Sequence, residues 1–231
     1  HRWVNSRMHI RALDPSNNIM TFDGHTPDLS RFYEITEATR YQLDNVKEGV
    51  TEPGDWYLDR QTRLLTYKAS AGENLNEAKV IAARLPSLVQ IENANYLKLQ
   101  GLEFQHKHWE SPNVGYIENQ SANNIAETAV QLKNSSDVVI ERCDFSSLDG
   151  YAIELVKGSS RNFILKNRFS DLGSGGIRLN GTREKPTSQN RIEDNLISNG
   201  GRLYPTGAGI LAMLTDSNII SHNDVFDFFY T

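Results

Sequence analysis

The chain has very little cysteine. Cys143 is the single cysteine among 231 residues, so no internal disulfide framework can stabilise the fold. Its position two residues before Phe145, in a segment that repeats elsewhere in the chain, predicts a small buried core residue rather than a reactive thiol.

Long apolar runs and an excess of positive charge are also missing. No stretch approaches the ~18 consecutive apolar residues of a spanning helix, so no membrane partner is predicted. Lysine and arginine number 24 against 29 acidic residues, a net charge of −5, which argues against a nucleic-acid surface because that needs clustered basic side chains. We expect no cofactor and no metal, since the His106 and His108 pair lacks an evident third ligand.

What the sequence does contain is a repeat. Three similar coils follow one another, opened by Ile153, Ile177 and Ile210, and each later reaches an asparagine. Those asparagines, Asn167 and its two successors Asn195 and Asn223, are 28 residues apart both times (195 − 167 and 223 − 195). A fixed period in the twenties is typical of a solenoid.

Stacked coils bury apolar columns and align identical positions. Coils ~4.8 Å apart would place the coil-opening isoleucines in one inward column, and residues 163–164, 192 and 219–220 would contribute a second strand. The aligned asparagines predict a ladder in which each amide bonds the same side chain one coil away. Further matches at an offset of 41 (130 − 89) extend the coils back to residue 88.

Residues 1–87 differ in sequence pattern from the repeating coils. Alternating residues 8–13, a turn at residues 14–18 and residues 19–22 predict a hairpin, and a second hairpin is predicted to pair Trp56 with Tyr67. Residues 32–35 predict a short strand and residues 39–46 a helical turn. Both aromatic rings of the second hairpin are expected in a core rather than as a sugar platform. We therefore predict a β-rich module over 1–87, packed on coils over 88–231.

Three excursions interrupt the regular coils. Residues 106–126, 181–189 and 200–209 each lengthen a connection. Such insertions project from a solenoid and often form its binding face, so these loops are predicted to wall a cleft.

One column of positions is polar throughout. It lies two residues beyond the apolar position that closes each coil, and its members are His106, Ser147, Asp171, Asn199 and Asp227. Paired carboxyl groups hydrolyse glycosidic bonds, one as an acid and the other as a nucleophile or base. Asp171 and Asp227 are the predicted catalytic pair, roughly 10 Å apart across two coils. The alternative is that both aspartates only cap turns.

Other polar residues near this column are predicted to bind substrate. His106, His108 and Trp109 could form a sugar-binding lip, and Asp149 lies beside them in a loop. Glu154 and Arg178 are neighbours across one strand pair: either a solvent-facing salt bridge, or a site in which Arg178 binds a sugar group while keeping Glu154 ionised. These six residues complete the candidate site.

Four motifs together resemble a known family. They are EPGDWYLD at residues 52–59 with LLTY at 64–67, GLEFQH at 101–106, DLGSGGI at 171–177 and HNDVFDFFYT at 222–231. In combination they resemble bacterial right-handed parallel β-helix proteins that act on carbohydrates, and are most similar to glycoside hydrolase family 141, whose members are fucosidase- and xylanase-like.

The resemblance implies an all-β, single-stranded right-handed parallel β-helix of the pectin-lyase-like kind, with an N-terminal β-rich module. It implies a glycosidase acting on plant cell-wall polysaccharide and exported by a bacterium to the periplasm or medium. It also implies that the family domain extends beyond both ends of this chain, so that a second chain or further coils would cover the last coil.

Two other functions stay open. A polysaccharide lyase on the same architecture would need a basic residue, for which Lys157 and Arg178 are available, and usually a carboxylate cluster holding Ca²⁺. No such cluster is evident in the sequence. A non-catalytic carbohydrate-binding or structural β-helix would need neither.

Overall fold

The computed structural model describes residues 5–24, 36–125 and 127–229. The chain divides into two compact units, residues 35–82 and residues 1–34 with 83–231. The predicted boundary at residue 87 stays a prediction. The strand predicted at residues 32–35 lies outside the described residues. The prediction that further coils or a second chain cover the last coil stays a prediction.

The unit of residues 35–82 contains one antiparallel hairpin. Strand β4 (Trp56–Asp59) pairs with β5 (Leu64–Tyr67), and Trp56 lies opposite Tyr67 as predicted. A 3₁₀ turn spans Lys47–Gly49, whereas the helical turn predicted for residues 39–46 is absent. The core positions predicted for Trp56 and Tyr67 are wrong, because these residues are 58% and 37% exposed.

The other unit begins with short antiparallel strands. Strand β2 (Ile10–Asp14) pairs with β3 (Ile19–Phe22), which confirms the first predicted hairpin. Strand β1 (Ser6–Arg7) pairs instead with β9 (Tyr116–Ile117), a strand of the first predicted excursion. This pairing attaches the N-terminal segment to that excursion.

The rest of this unit is a stack of coils with three parallel five-stranded sheets. The first sheet contains β6 (Val89–Glu92), β10 (Val130–Lys133), β13 (Ile153–Val156), β16 (Ile177–Asn180) and β20 (Ile210–Met213). The second contains β7 (Lys98–Gln100), β11 (Val139–Glu141), β14 (Phe163–Leu165), β18 (Arg191–Glu193) and β22 (Ile219–Ser221). The third contains β8 (Glu103–Gln105), β12 (Asp144–Leu148), β15 (Arg168–Leu172), β19 (Leu196–Gly200) and β23 (Asp224–Phe228). A two-stranded parallel ribbon joins β17 (Thr187–Ser188) to β21 (Thr215–Asp216).

The register of these sheets confirms the predicted columns. Val89 pairs with Val130 and Ile153 pairs with Ile177, which in turn pairs with Ile210. The rings of Phe104, Phe145 and Phe169 stack with centroids 4.8 Å apart, the spacing between neighbouring strands. Cys143 is buried in the same core, as predicted.

Two asparagine ladders run along the coils. The predicted ladder is confirmed: the amide of Asn167 donates to Asn195 Oδ1 at 3.0 Å, and that of Asn195 donates to Asn223 Oδ1 at 2.9 Å. A second ladder, five residues earlier in each coil, joins Asn162, Asn190 and Asn218. Each ladder oxygen also accepts the backbone N–H of the previous coil, for example that of Cys143. The turns are therefore fixed by side-chain amides as well as by strand pairing.

Candidate active site and the loop that covers the first sheet

The polar column is a column of left-handed backbone. All five members lie in the third sheet or directly after its strand β8, and their φ angles are between 51° and 60°. They are His106, Ser147, Asp171, Asn199 and Asp227. Because asparagine and aspartate tolerate this conformation better than other non-glycine residues, the backbone itself favours polar side chains here.

Both predicted catalytic aspartates lie on an exposed face of the third sheet. Ser147 Oγ donates a hydrogen bond of 2.9 Å to Asp171 Oδ2 one coil away, and both side chains are exposed. Asp227 is exposed two coils from Asp171, with Asn199 between them. Each aspartate is therefore a left-handed residue within its strand, and both carboxylates face solvent in one row.

Asp149 holds the start of the first excursion. Its carboxylate oxygen Oδ2 lies 3.1 Å from His108 Nδ1 and accepts the backbone N–H of Trp109 at 3.3 Å. Its backbone oxygen accepts a 2.6 Å hydrogen bond from Lys107 Nζ. Of the predicted sugar lip, His106 and His108 are half-buried. Asp149 therefore fixes the conformation of the loop.

The predicted platform role of Trp109 is not supported by its position. Trp109 packs edge-to-face against Tyr116 and Tyr204, with ring centroids 4.8 and 5.4 Å away, and only 8% of the residue is exposed. A sugar-stacking ring needs an open face. The three rings instead form the centre of a second apolar cluster with Ile125 and Tyr151.

Glu154 and Arg178 are buried beneath the same loop, so the solvent-facing salt bridge is wrong. The two residues are 3% and 2% exposed, and Arg178 Nε lies 2.7 Å from Glu154 Oε1. Gln131, one coil earlier, donates to Glu154 Oε2 at 2.8 Å. These three residues are direct neighbours in the first sheet. Their burial leaves no open surface on which Arg178 could contact a sugar.

Arg178 binds the excursion itself. Its Nη1 donates to the carbonyl oxygen of Asn123 at 2.7 Å and its Nη2 to that of Ile125 at 2.8 Å, while its Cζ lies 5.1 Å from the ring centroid of Tyr151. The guanidinium group therefore anchors the loop over the first sheet. The sequence showed the three polar neighbours but not that a loop would cover them.

Two of the three predicted excursions meet. Thr206 of the third excursion accepts the backbone N–H of Ala122 at 2.9 Å and donates to buried Glu118 Oε1 at 2.6 Å. Burial raises the pKa of Glu118. The first and third excursions precede strands of the first sheet, β10 and β20. The second excursion, residues 181–189, instead follows the carboxyl end of strand β16. The predicted three-loop wall is therefore a two-loop assembly.

Burial also shifts the pKa of Lys107. The residue is 1% exposed, and desolvation lowers its pKa to about 8, opposed by the nearby carboxylates of Asp149 and Glu127. This lysine was not singled out from the sequence. Its signal was weak, because a lysine between two histidines is normally an exposed loop residue.

Comparison with known proteins agrees with the fold. The family model described as "Right handed beta helix region" matches residues 87–228. The chain belongs to this right-handed β-helix family. The right-handed parallel β-helix predicted from the sequence is thereby confirmed, and the β-helix accounts for the parallel register of all three sheets.

One solved structure, titled "Glycoside hydrolase", has a similar fold. The TM-score is 0.83 at 17% sequence identity, over 98% of this chain and 48% of that chain. The chain thus spans about half the length of this structure. No curated protein matches the sequence. Within the described residues, no helix is long and apolar enough to cross a membrane, and no group of three or more acidic, histidine or cysteine side chains is placed to hold a metal ion.

Proposed function

We propose that this β-helix is part of a glycoside hydrolase and that Asp171 and Asp227 supply its two carboxyl groups. The observation that carries the proposal is the row on the third sheet in which exposed Asp171 and Asp227 flank half-buried Asn199. Two coils separate the aspartates, roughly 10 Å by strand spacing, which is closer to the separation of an inverting pair than to that of a retaining pair.

The fold similarity to a structure titled as a glycoside hydrolase supports the proposal at the level of architecture. The substrate class follows from the family resemblance, which implies plant cell-wall polysaccharide as substrate and an exported bacterial enzyme. In the proposed mechanism one aspartate protonates the leaving oxygen, and the other, as carboxylate, activates a water molecule on the opposite side of the sugar.

The test is hydrolysis by the full-length protein carrying Asp171→Asn or Asp227→Asn. Both replacements keep a residue that tolerates left-handed backbone, so the fold should be retained while turnover falls by a factor of 10³ or more, roughly 4 kcal/mol in activation free energy. Asp224→Asn is the matched control, because Asp224 is exposed on the same strand as Asp227. Unchanged turnover in either catalytic variant would remove that aspartate from the mechanism.

A second candidate is a non-catalytic carbohydrate-binding β-helix. It is favoured by the left-handed φ angles of the polar column, which explain its polar residues without any chemistry. Glycan binding by the full-length protein, without product release on any cell-wall polysaccharide, would support it. The lyase alternative is weakened, because Arg178 is committed to Glu154 and to the loop.

A further inference from the structure

A cavity of about 510 Å³ is lined mostly by the first excursion, and no member of the polar column lines it. Its wall is largely apolar and aromatic, with three polar residues: Pro86, Trp109, Glu110, Pro112, Gly115, Tyr116, Ile117, Asn124 and Glu127. Pockets of this size and composition, with few polar groups, are the usual form of small-molecule sites.

The wall of this cavity is held in place before any ligand arrives. The backbone of Trp109 is fixed by Asp149, and its ring by Tyr116 and Tyr204. Tyr116 donates its hydroxyl hydrogen to Asn124 Oδ1 at 2.9 Å. A preformed wall lowers the entropy lost on binding.

Gly115 brings the excursion close to the N-terminal strand. Its φ is +86°, and a Cβ atom there would lie 2.7 Å from the backbone oxygen of Arg7. Any other residue would therefore push the wall away from strand β1.

Two carboxylates remain available in this wall. Among the described residues, the Glu110 side chain has no hydrogen-bond or ion-pair partner, and Glu127 has only its electrostatic interaction with Lys107. The Asn124 amide, in contrast, already contacts Tyr116, Asn119 and Ile117. Glu110 is exposed and Glu127 half-buried. The cavity thus offers acceptors and negative charge, and no cationic side chain lines it.

We infer that this cavity is a saccharide subsite that accepts neutral sugar units and rejects uronates. Sugar hydroxyl groups donate to the two carboxylates, and the apolar wall of Pro86 and Pro112 contacts the carbon–hydrogen face of the ring. A uronate would bring a third carboxylate against Glu110 and Glu127. Lys107 offsets part of the charge of Glu127, but it is 1% exposed and does not line the cavity, so the like-charge contacts oppose binding. The inference rests on the proposed function for its ligand class, and it selects hemicellulose-like chains over pectin-like ones.

The test is direct binding, measured by calorimetry on the whole chain with xylohexaose, cellohexaose, mannohexaose and hexagalacturonate as probes. We expect at least one neutral probe to bind, and hexagalacturonate to bind at least about tenfold more weakly. In the double variant Glu110→Gln/Glu127→Gln, neutral binding should persist, because amides still accept hydrogen bonds, and the tenfold preference should largely disappear.

The control is Glu103→Gln/Glu184→Gln, which removes the same charge from two other exposed positions and should keep the preference. Failure of all neutral probes to bind would overturn the inference, as would an unchanged preference in the Glu110/Glu127 variant. Binding is read without turnover, so loss of hydrolysis in the aspartate variants leaves this result standing. Conversely, hydrolysis by a protein that shows no such preference would overturn the subsite alone.

Discussion

At the scale of single residues, amide side chains do much of the work that defines a coil. Asn195 is 1% exposed, and its side chain makes four hydrogen bonds, two of them to Asn167 and one each to Asn223 and the carbonyl of Ile164. Each buried turn is therefore fixed by one side chain that satisfies backbone groups of two coils. This explains why the asparagine spacing is so constant although neighbouring residues vary.

Replacing Asn195 with alanine should destabilise the fold strongly. The change leaves the backbone N–H of Asn167 and the carbonyl of Ile164 unpaired and buried, so the free energy of unfolding should fall by about 2–6 kcal/mol. Denaturant titration measures it. Asn223→Ala is the matched control, since Asn223 is only half-buried and water can replace its amide, and an equal loss in both variants would contradict the account.

The buried lysine makes stability depend on pH. Lys107 has a pKa of about 8 in the folded protein, below its usual value of 10.5, so between these values the unfolded chain binds more protons. Stability should therefore rise as the pH increases from about 8 towards 10, by up to roughly 1.4 kcal/mol per pH unit. Above pH 10 the slope should weaken, because burial also raises the pKa of Tyr151 to about 12 and tyrosines then ionise first in the unfolded state.

A lysine variant tests this origin. In Lys107→Met the rise between pH 8 and 10 should vanish, and at pH 7 the variant should be at least as stable as the natural protein, because no charge is buried. Thermal unfolding across this pH range measures both effects. Lys185→Met, at an exposed position, should keep the rise, and a rise that survives in Lys107→Met would assign it to another group.

At the scale of elements, the first excursion behaves as a cover on the first sheet. It contributes strand β9, the 3₁₀ turn Gln120–Ala122 and four of the six buried residues of the second apolar cluster. Arg178 is its main polar anchor, since it contacts two carbonyls of the loop and one buried carboxylate. The position of the proposed saccharide subsite therefore depends on a residue that does not line it.

The effect of Arg178 on the loop can be measured separately from its effect on overall stability. Arg178→Met leaves Glu154 buried without its counter-ion, and should cost about 3–5 kcal/mol. The double variant Glu154→Leu/Arg178→Met removes both charges and should recover much of that loss, but it still leaves the carbonyls of Asn123 and Ile125 unpaired. Hydrogen exchange and limited proteolysis at residues 110–125 should therefore remain faster than in the natural protein. Full protection of that loop in the double variant would show that the aromatic cluster alone holds it.

Sequence reasoning succeeded where the period is strict. The inward column of Ile153, Ile177 and Ile210 and the ladder of Asn167, Asn195 and Asn223 follow from spacing, because every coil repeats the same geometry. The second ladder, Asn162, Asn190 and Asn218, has the same spacing of 28 and was equally visible.

The failures concern irregular segments. Burial of Trp109 and of the Glu154–Arg178 pair depends on where the first excursion folds, which no periodicity specifies. For the same reason the cavity was not foreseen: its wall combines residues 86, 109–117, 124 and 127 through contacts of a loop that has no repeat. The catalytic assignment of Asp171 and Asp227 stays a prediction, since left-handed backbone explains their identity equally well.

At the scale of the whole stack, the 231-residue chain taken by itself should be less stable in the coil of β20, β22 and β23 than in the inner coils. Inner coils have neighbours on both sides, and a repeat protein gains most of its stability from such interfaces. Ile192 and Ile220 occupy the same column in consecutive coils, but Ile192 is fully buried whereas Ile220 is 44% exposed. The backbone N–H of Asn190 in an inner coil donates to the side-chain oxygen Oδ1 of Asn218, which lies one coil further on.

This gradient gives a matched pair of core variants in the 231-residue chain. Ile192→Ala should cost about 2–5 kcal/mol, because it removes buried methyl groups and leaves a cavity. Ile220→Ala should cost less than half as much, since water already reaches that side chain and no enclosed cavity forms. Unfolding by denaturant, followed by tyrosine and tryptophan fluorescence, compares them on one scale. Equal losses would mean that in solution the last coil is covered, for example by a second copy of the chain. Dilution would then dissociate the copies, and the difference between the two variants should reappear.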